Sequence, residues 1–238
     1  MATILLVHGA WHGSWCWAKI VSLLQRDGLN AVTLDLPGRA GDVTPIENLT
    51  LERYAQAVCR VARVQKEPVV VVGHSLGGVV ITQAAEYEPQ RFAKLVYLCA
   101  FLPQNGQSLR TLAQTEAGLV MPNVRPDTPK GYFSFREDAP LREIFYHDCS
   151  EEDARRAAMM LVPDGTLSHA GQCDRATVWP CAKSLYRVST GPCDSSITPE
   201  EDARGGSVPR DVLTRHEPLA VSLCASRACT DDRRRVRR

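Results

Sequence analysis

Pro68-Val-Val-Val-Val-Gly-His-Ser-Leu-Gly-Gly-Val-Val-Ile-Thr-Gln-Ala-Ala-Glu-Tyr87 carries the reading of this chain. Its opening is a β-branched run without polar alternation, the pattern of a parallel strand buried on both faces. Gly77–Tyr87 reads as a helix, and at the junction stands Gly73-His74-Ser75-Leu76-Gly77, a Gly-x-Ser-x-Gly sequence. A strand that turns sharply into a helix holds the central serine in a strained conformation, and the flanking glycines relieve the crowding. The hydroxyl then projects at the C-terminal edge of the sheet over a helix N-terminus, whose dipole favours developing negative charge. Ser75 is therefore the candidate nucleophile.

The same alternation continues on both sides of the motif. Thr3–Val7 is a short apolar strand ending at His8-Gly9, and Trp15–Gln25 carries a helical stripe stopped by Gly28. Asn30–Leu34 is a second strand, broken by Asp35-Leu-Pro-Gly38. Thr50 caps a helix to about Val64, with Tyr54, Ala57, Val58 and Val61 on one face, and Leu95–Ala100 is another buried strand. Strands alternating with helices at this spacing predict an α/β fold with a mostly parallel sheet and helices on both faces. From Phe101 to about Ser168 the pattern changes to turns, aromatics and Pro122, Pro126, Pro129 and Pro140, with one clear helix, Glu151–Leu161, capped by Ser150. Such a stretch is long for a plain connection and reads as a cap. The expected organisation is a core over 1–102, a cap over 103–169 and a C-terminal region, 170–238, that should complete the core.

Composition narrows the functional classes. The chain has 238 residues, 28 basic and 27 acidic, for a net charge of +1, and 44% of it is hydrophobic. That length suits one α/β domain, and the balance excludes a strongly basic nucleic-acid binder and a disordered acidic chain. Arg233–Arg238 is a charge run of the kind that ends chains in solvent, so neither nucleic acid nor a membrane is expected as a partner. No apolar run has membrane-spanning length, and Met1-Ala-Thr-Ile-Leu-Leu-Val7 lacks the basic start of a signal peptide, so a cytoplasmic location is expected. The nine cysteines have no CxxC pair or metal-like spacing and read as reduced thiols; no metal is expected.

His8-Gly9-Ala10-Trp11 supplies the second element of chemistry. The end of an early strand lies beside the serine's turn, where the N–H of Ala10, with that of Leu76, would form a two-donor oxyanion hole. One such donor lowers a barrier by about 3 kcal/mol. His8, His12 and His74 each sit on a backbone turn and read as structural. Trp11, Phe145 and Tyr146 suggest an apolar, partly aromatic pocket suited to small hydrophobic or aromatic esters.

His8-Gly-Ala-Trp-His-Gly-Ser-Trp-Cys-Trp17, Leu34-Asp-Leu-Pro-Gly38, Gly73-His-Ser-Leu-Gly-Gly78 and Leu98-Cys-Ala-Phe-Leu-Pro103 together resemble the α/β-hydrolase fold. More narrowly, they resemble its plant methyl-ester esterase and hydroxynitrile lyase branch, with bacterial esterase relatives. Ser150-Glu-Glu-Asp153 to Leu161-Val-Pro163 is similar to that branch's cap helix, so the resemblance spans 1 to about 169. It implies a cofactor-free serine hydrolase of small esters with a Ser…Asp…His triad, Ser75 as nucleophile, and Ala10 and Leu76 as oxyanion donors. In the lyases of this branch a threonine follows the first histidine; here that position is Gly9, which favours an esterase.

The last third departs from the family pattern, which implies a strand like Val-Tyr-Ile, an aspartate soon after it and a late His-Ser-Pro. As written, His216 is the only histidine beyond the cap, and Asp194 is the best-spaced acid, with Asp174, Asp202 and Asp211 as competitors. Ser184–Val188 is the sole late strand candidate. Arg187 would bury a charge there at a cost of several kcal/mol, so the sheet is expected to lack one or two last strands. Shifting the reading frame by one nucleotide changes the picture. Arg175–Arg187 then decodes, with permitted third bases, as Ala-Gln-Arg-Phe-Gly-Arg-Val-Pro-Lys-Val-Tyr-Ile-Glu; Gly191–Asp194 gives Asp-Arg-Ala-Ile, and His216–Val221 gives Thr-Ser-His-Ser-Pro-Phe. The written tail therefore reads as a frameshifted version of an esterase from about Ala170. The alternative function is a catalytically impaired or purely ligand-binding relative.

Overall fold

Thr3–Val7 (β1), Ala18–Arg26 (α1), Asn30–Thr33 (β2), Leu51–Arg63 (α2), Val69–Ser75 (β3), Leu76–Tyr87 (α3) and Phe92–Ala100 (β4) follow one another as the strand–helix alternation predicts. The computed structural model describes residues 3–114, 118–127, 131–165 and 185–188. Ends of elements obey local chemistry. Thr50 Oγ1 accepts the Arg53 N–H at 3.2 Å to open α2, and Gly28, at φ +79°, follows α1.

The strands form one parallel sheet in the order β2-β1-β3-β4-β7, where β7 is Leu185–Val188. Side chains alternate between its faces. Leu5, Val7, Val69 and Val71 join Val58 of α2 and Val80 and Ile81 of α3 in the main core. Ile4, Leu6, Val72 and Leu98 meet Ile20, Val21 and Leu24 of α1 with Trp17 on the other face. Helices thus cover both faces, and the fold class is α/β as expected. The elbow sits where β3, near the centre of the sheet, ends.

β7 corrects one expectation. Leu95–Leu98 of β4 pair in register with Leu185–Val188, so the late strand does form. Among the described residues β7 is the edge of the sheet, and an edge asks chiefly for extended backbone that can complete the neighbour's hydrogen bonds. The cost of a charge between two packed layers applies to a central strand. The remaining C-terminal residues, with the frameshift reading, lie outside the described residues.

Beyond β4 the structure holds more order than the sequence pattern suggests. Leu109–Ala113 (α4) is opened by a capping box between Ser108 and Thr111. Val124–Asp127 (β5) and Tyr132–Phe135 (β6) pair as an antiparallel hairpin, and Leu141–Phe145 (α5) and Glu151–Met159 (α6) follow. Pro126 fits β5 because Phe133 opposite it turns its N–H and carbonyl to Asp164, so that pair asks no N–H of the proline. Ser150 Oγ accepts the Asp153 N–H at 3.2 Å, the cap expected for α6. Among the described residues no helix is long and apolar enough to cross a membrane.

Candidate functional site

Ser75 ends β3 at φ +53° and ψ −119°, a conformation that ordinary L residues avoid, and α3 begins at the next residue. The turn is held from both sides. A Cβ on Gly73 would stand 2.5 Å from the Gly77 carbonyl oxygen, and one on Gly77 would stand 2.7 Å from that of Val7. Both contacts are with backbone, which cannot swing aside, so these glycines let the start of α3 close onto the ends of β1 and β3. On the other flank His74 pairs with Leu98 and Ser75 with Ala100, leaving Cys99 as a bulge at φ +44°. The Phe101 N–H then donates to the Ser75 carbonyl at 3.2 Å. No described residue hydrogen-bonds the Ser75 hydroxyl.

The loop after β1 lies directly against this elbow. A Cβ on Gly9 would be 3.0 Å from Ser75 Cβ and 3.1 Å from His74 Nδ1. The side chains and carbonyls of the loop are tied down. His8 Nδ1–H donates to the Gly9 carbonyl at 2.8 Å, while its Nε2 accepts the Leu36 N–H at 3.1 Å. His12 Nδ1–H donates to the Ala10 carbonyl, and its Nε2 accepts from the Tyr146 hydroxyl, both at 2.9 Å. The Trp11 N–H goes to Asp164 Oδ2 at 3.0 Å, and its carbonyl accepts the Val162 N–H at 3.0 Å. Ala10 is 6% exposed, and no described residue accepts its N–H, nor those of Gly9 and His12. Buried N–H groups are rarely left without a partner, so one beside a strained serine marks a place for an external acceptor. The Leu76 N–H, at the first position of α3, has no acceptor within the helix.

Burial sets the charge state of the three histidines nearby. It pushes His8 and His12 down to about 4 and His74 to about 3, with the Gly9 and Ala10 carbonyl bonds opposing the shift in the first two. All three are neutral at pH 7, and both ring nitrogens of His8 and His12 are committed. They are struts, as the sequence suggests. The phenol of Tyr146, pushed up by burial, remains a donor to His12. His147 is exposed. Asp194 and His216 lie outside the described residues, as do His169, Asp174, Asp202 and Asp211.

Trp11, Phe145 and Tyr146 do come together. Trp11 stands 6.5 Å from Phe145 between ring centroids, and Phe145 stands 5.7 Å from Tyr146. Phe135 completes the group at 4.8 Å from Trp11 and 5.4 Å from Phe145. Trp11 and Tyr146 are buried, and Phe145 is half-buried. The sequence reading missed Phe135, and it also missed two acids beside the loop. Asp35 receives the Ser14 N–H at 2.7 Å and the Ser14 hydroxyl at 2.8 Å. Asp164, fully buried, pairs with Arg39. An Asp just after a strand is a weak local signal for the first; no local pattern joins residues 39 and 164.

A positive-φ serine between β3 and α3, with a loop from β1 lying against it, is the strand–turn–helix geometry that Gly-x-Ser-x-Gly takes in one enzyme superfamily. The model of the Alpha/beta hydrolase family matches residues 4–224, and the chain belongs to that family. Methyl jasmonate esterase 1 of Vitis vinifera is 34% identical over 189 residues, covering 78% of this chain and 70% of the relative. The carbendazim hydrolyzing esterase of Nocardioides sp. (strain SG-4G) is 39% identical over 115 residues, 47% of each chain. Among solved structures, a pyrethroid hydrolase from Sphingobium faniae JZ-2 superposes with a TM-score of 0.63 at 25% identity, over 72% of this chain and 70% of that one. The chain spans about half the length of several curated relatives that it matches.

Proposed function

We propose that the chain is a serine carboxylic ester hydrolase, with Ser75 as nucleophile and the N–H groups of Ala10 and Leu76 as oxyanion donors. One observation carries the reading: the strained Ser75 lies against Gly9, and the next N–H along the loop, that of Ala10, is buried and used by no described residue. Ser75 Oγ attacks the ester carbonyl carbon and passes its proton to a histidine, for which His216 oriented by Asp194 is the proposed pair. The tetrahedral oxyanion faces Ala10 and Leu76. Its collapse releases the alcohol, which takes the proton back from the histidine, and water repeats the sequence to free the acid.

Residues 103–169 act as the cap over this centre. Trp11 and Phe145 supply an apolar wall for small hydrophobic or aromatic esters, and Tyr146 holds His12 behind it. The names of the relatives, a methyl jasmonate esterase and a carbendazim hydrolyzing esterase, support that substrate class. Gly9 supports hydrolysis over cyanohydrin cleavage, because it brings no hydroxyl to the site and a larger residue would press on Ser75. We place the protein in the cytoplasm, in keeping with the reduced, buried thiols of Cys16 and Cys59.

The test is the release of p-nitrophenol from a short acyl ester, with a burst equal to one equivalent of Ser75. Ser75→Ala should abolish both turnover and labelling by a fluorophosphonate while leaving the fold unchanged. Labelling that persists would put the nucleophile elsewhere. A second reading, a ligand-binding relative without turnover, draws on one fact: no described histidine hydrogen-bonds Ser75. Binding of an aromatic ester with neither burst nor turnover would favour it.

A further inference from the structure

We propose that Arg39 and Asp164 are positioning residues: their buried ion pair holds Trp11 in a left-handed conformation and so keeps the Ala10 N–H aimed at the substrate oxygen rather than at the protein. The proposal rests on the ester hydrolase reading. Trp11 has φ +60°, a region that bulky residues enter only when their surroundings impose it. Every polar group of Trp11 is held by the segment after β4. Its N–H goes to Asp164 Oδ2, its carbonyl takes the Val162 N–H, and its indole N–H donates to the Phe133 carbonyl at 2.9 Å. Asp164 is itself tied to Phe133 by backbone bonds in both directions, at 2.7 and 2.9 Å. On its other side Arg39 donates to Asp164 through Nη2, to the His12 carbonyl through Nε at 3.1 Å and to the Gly38 carbonyl through Nη1 at 3.2 Å. The two side chains are 1% and 0% exposed.

This ring of bonds encloses the loop from both ends. Arg39 fixes the carbonyl of His12, Asp164 fixes the N–H of Trp11, and the peptide that carries the Ala10 N–H lies just before them. A buried ion pair is a poor source of stability, because desolvating two charges offsets most of their attraction; its better-attested use is to impose one arrangement among several. Here the arrangement imposed is the one that leaves a buried N–H open beside Ser75. Through Asp164 and Phe133 the cap and the oxyanion donor become one mechanical unit.

Stability and positioning can be separated. Arg39→Met combined with Asp164→Leu removes both charges and keeps the volume apolar, an exchange that is often neutral or stabilising. We expect Tm at or above that of the unaltered chain, yet kcat for p-nitrophenyl acetate lower by tenfold or more with KM within twofold, since the Trp11 N–H has lost its acceptor. Asp164→Asn keeps an acceptor for that N–H but leaves Arg39 without its counter-charge. Its Tm should fall, and kcat, measured below the transition, should also fall by threefold or more with KM within twofold, because the ion pair that fixes the loop is gone. Recovery of kcat together with Tm in the double variant would overturn the proposal, as would an unchanged kcat in folded Asp164→Asn. Should the double variant not fold, Asp164→Asn decides alone by the same criterion. Turnover that survives Ser75→Ala, or its absence from the unaltered chain, would refute the ester hydrolase reading instead.

Discussion

Gly77→Ala tests whether the elbow depends on backbone closing against backbone. The new Cβ would stand 2.7 Å from the Val7 carbonyl oxygen and 3.1 Å from that of His8, where ordinary contact begins near 3.4 Å. Neither neighbour is a flexible side chain. Val7 is paired with Gly73 of β3, and His8 is held by the Leu36 N–H. Relief requires β1 and α3 to move apart by several tenths of an ångström. Overpacking of this kind costs about 1–3 kcal/mol, which for a domain of this size lowers Tm by roughly 2–4 °C per kcal/mol. The same movement carries Ala10 away from Ser75. With Ala10 in its proposed role, losing one oxyanion donor lowers kcat by about 10²–10³-fold, so activity should fall far more than stability. Gly118→Ala is the control, because a Cβ there meets nothing within 4 Å. Thermal unfolding and p-nitrophenyl acetate turnover on both variants decide the matter. A Gly77→Ala protein with unchanged Tm and unchanged kcat would refute the reasoning.

Acid should unfold the protein through its buried histidines. His8 and His12 titrate near 4 and His74 near 3 in the folded chain, against 6.5 when unfolded, so the unfolded state binds more protons between those values and stability falls as pH drops through 6.5 towards 4. The combined loss is on the order of several kcal/mol, and a urea midpoint that stays flat from pH 7 to pH 4.5 would contradict it. Thr50→Ala, which removes the acceptor for the Arg53 N–H, should cost about 1 kcal/mol in urea unfolding and leave kcat alone. Sequencing the coding DNA across codons 165–185 should reveal the one-nucleotide shift inferred for the tail; a verified, uninterrupted frame would end that reading.

The elbow was legible in the chain because its causes are local. A β-branched run, three glycines and an apolar helix are consecutive from Val69 to Tyr87, and each acts on its immediate neighbours. The caps at Thr50 and Ser150 were legible for the same reason, as were His8 and His12 as struts, whose Nδ1 bonds reach only one or two residues along the chain. Other features exist only once the chain has folded. The hairpin of β5 and β6 carries little apolar alternation, and β7 is recruited by the open edge of β4 despite Arg187 in its own sequence. The pairing of Arg39 with Asp164, and the left-handed Trp11 that it holds, join residues 125 apart in sequence. Burial then decides their meaning: a charge takes its role from what surrounds it once water is excluded, and only the tertiary structure determines that surrounding.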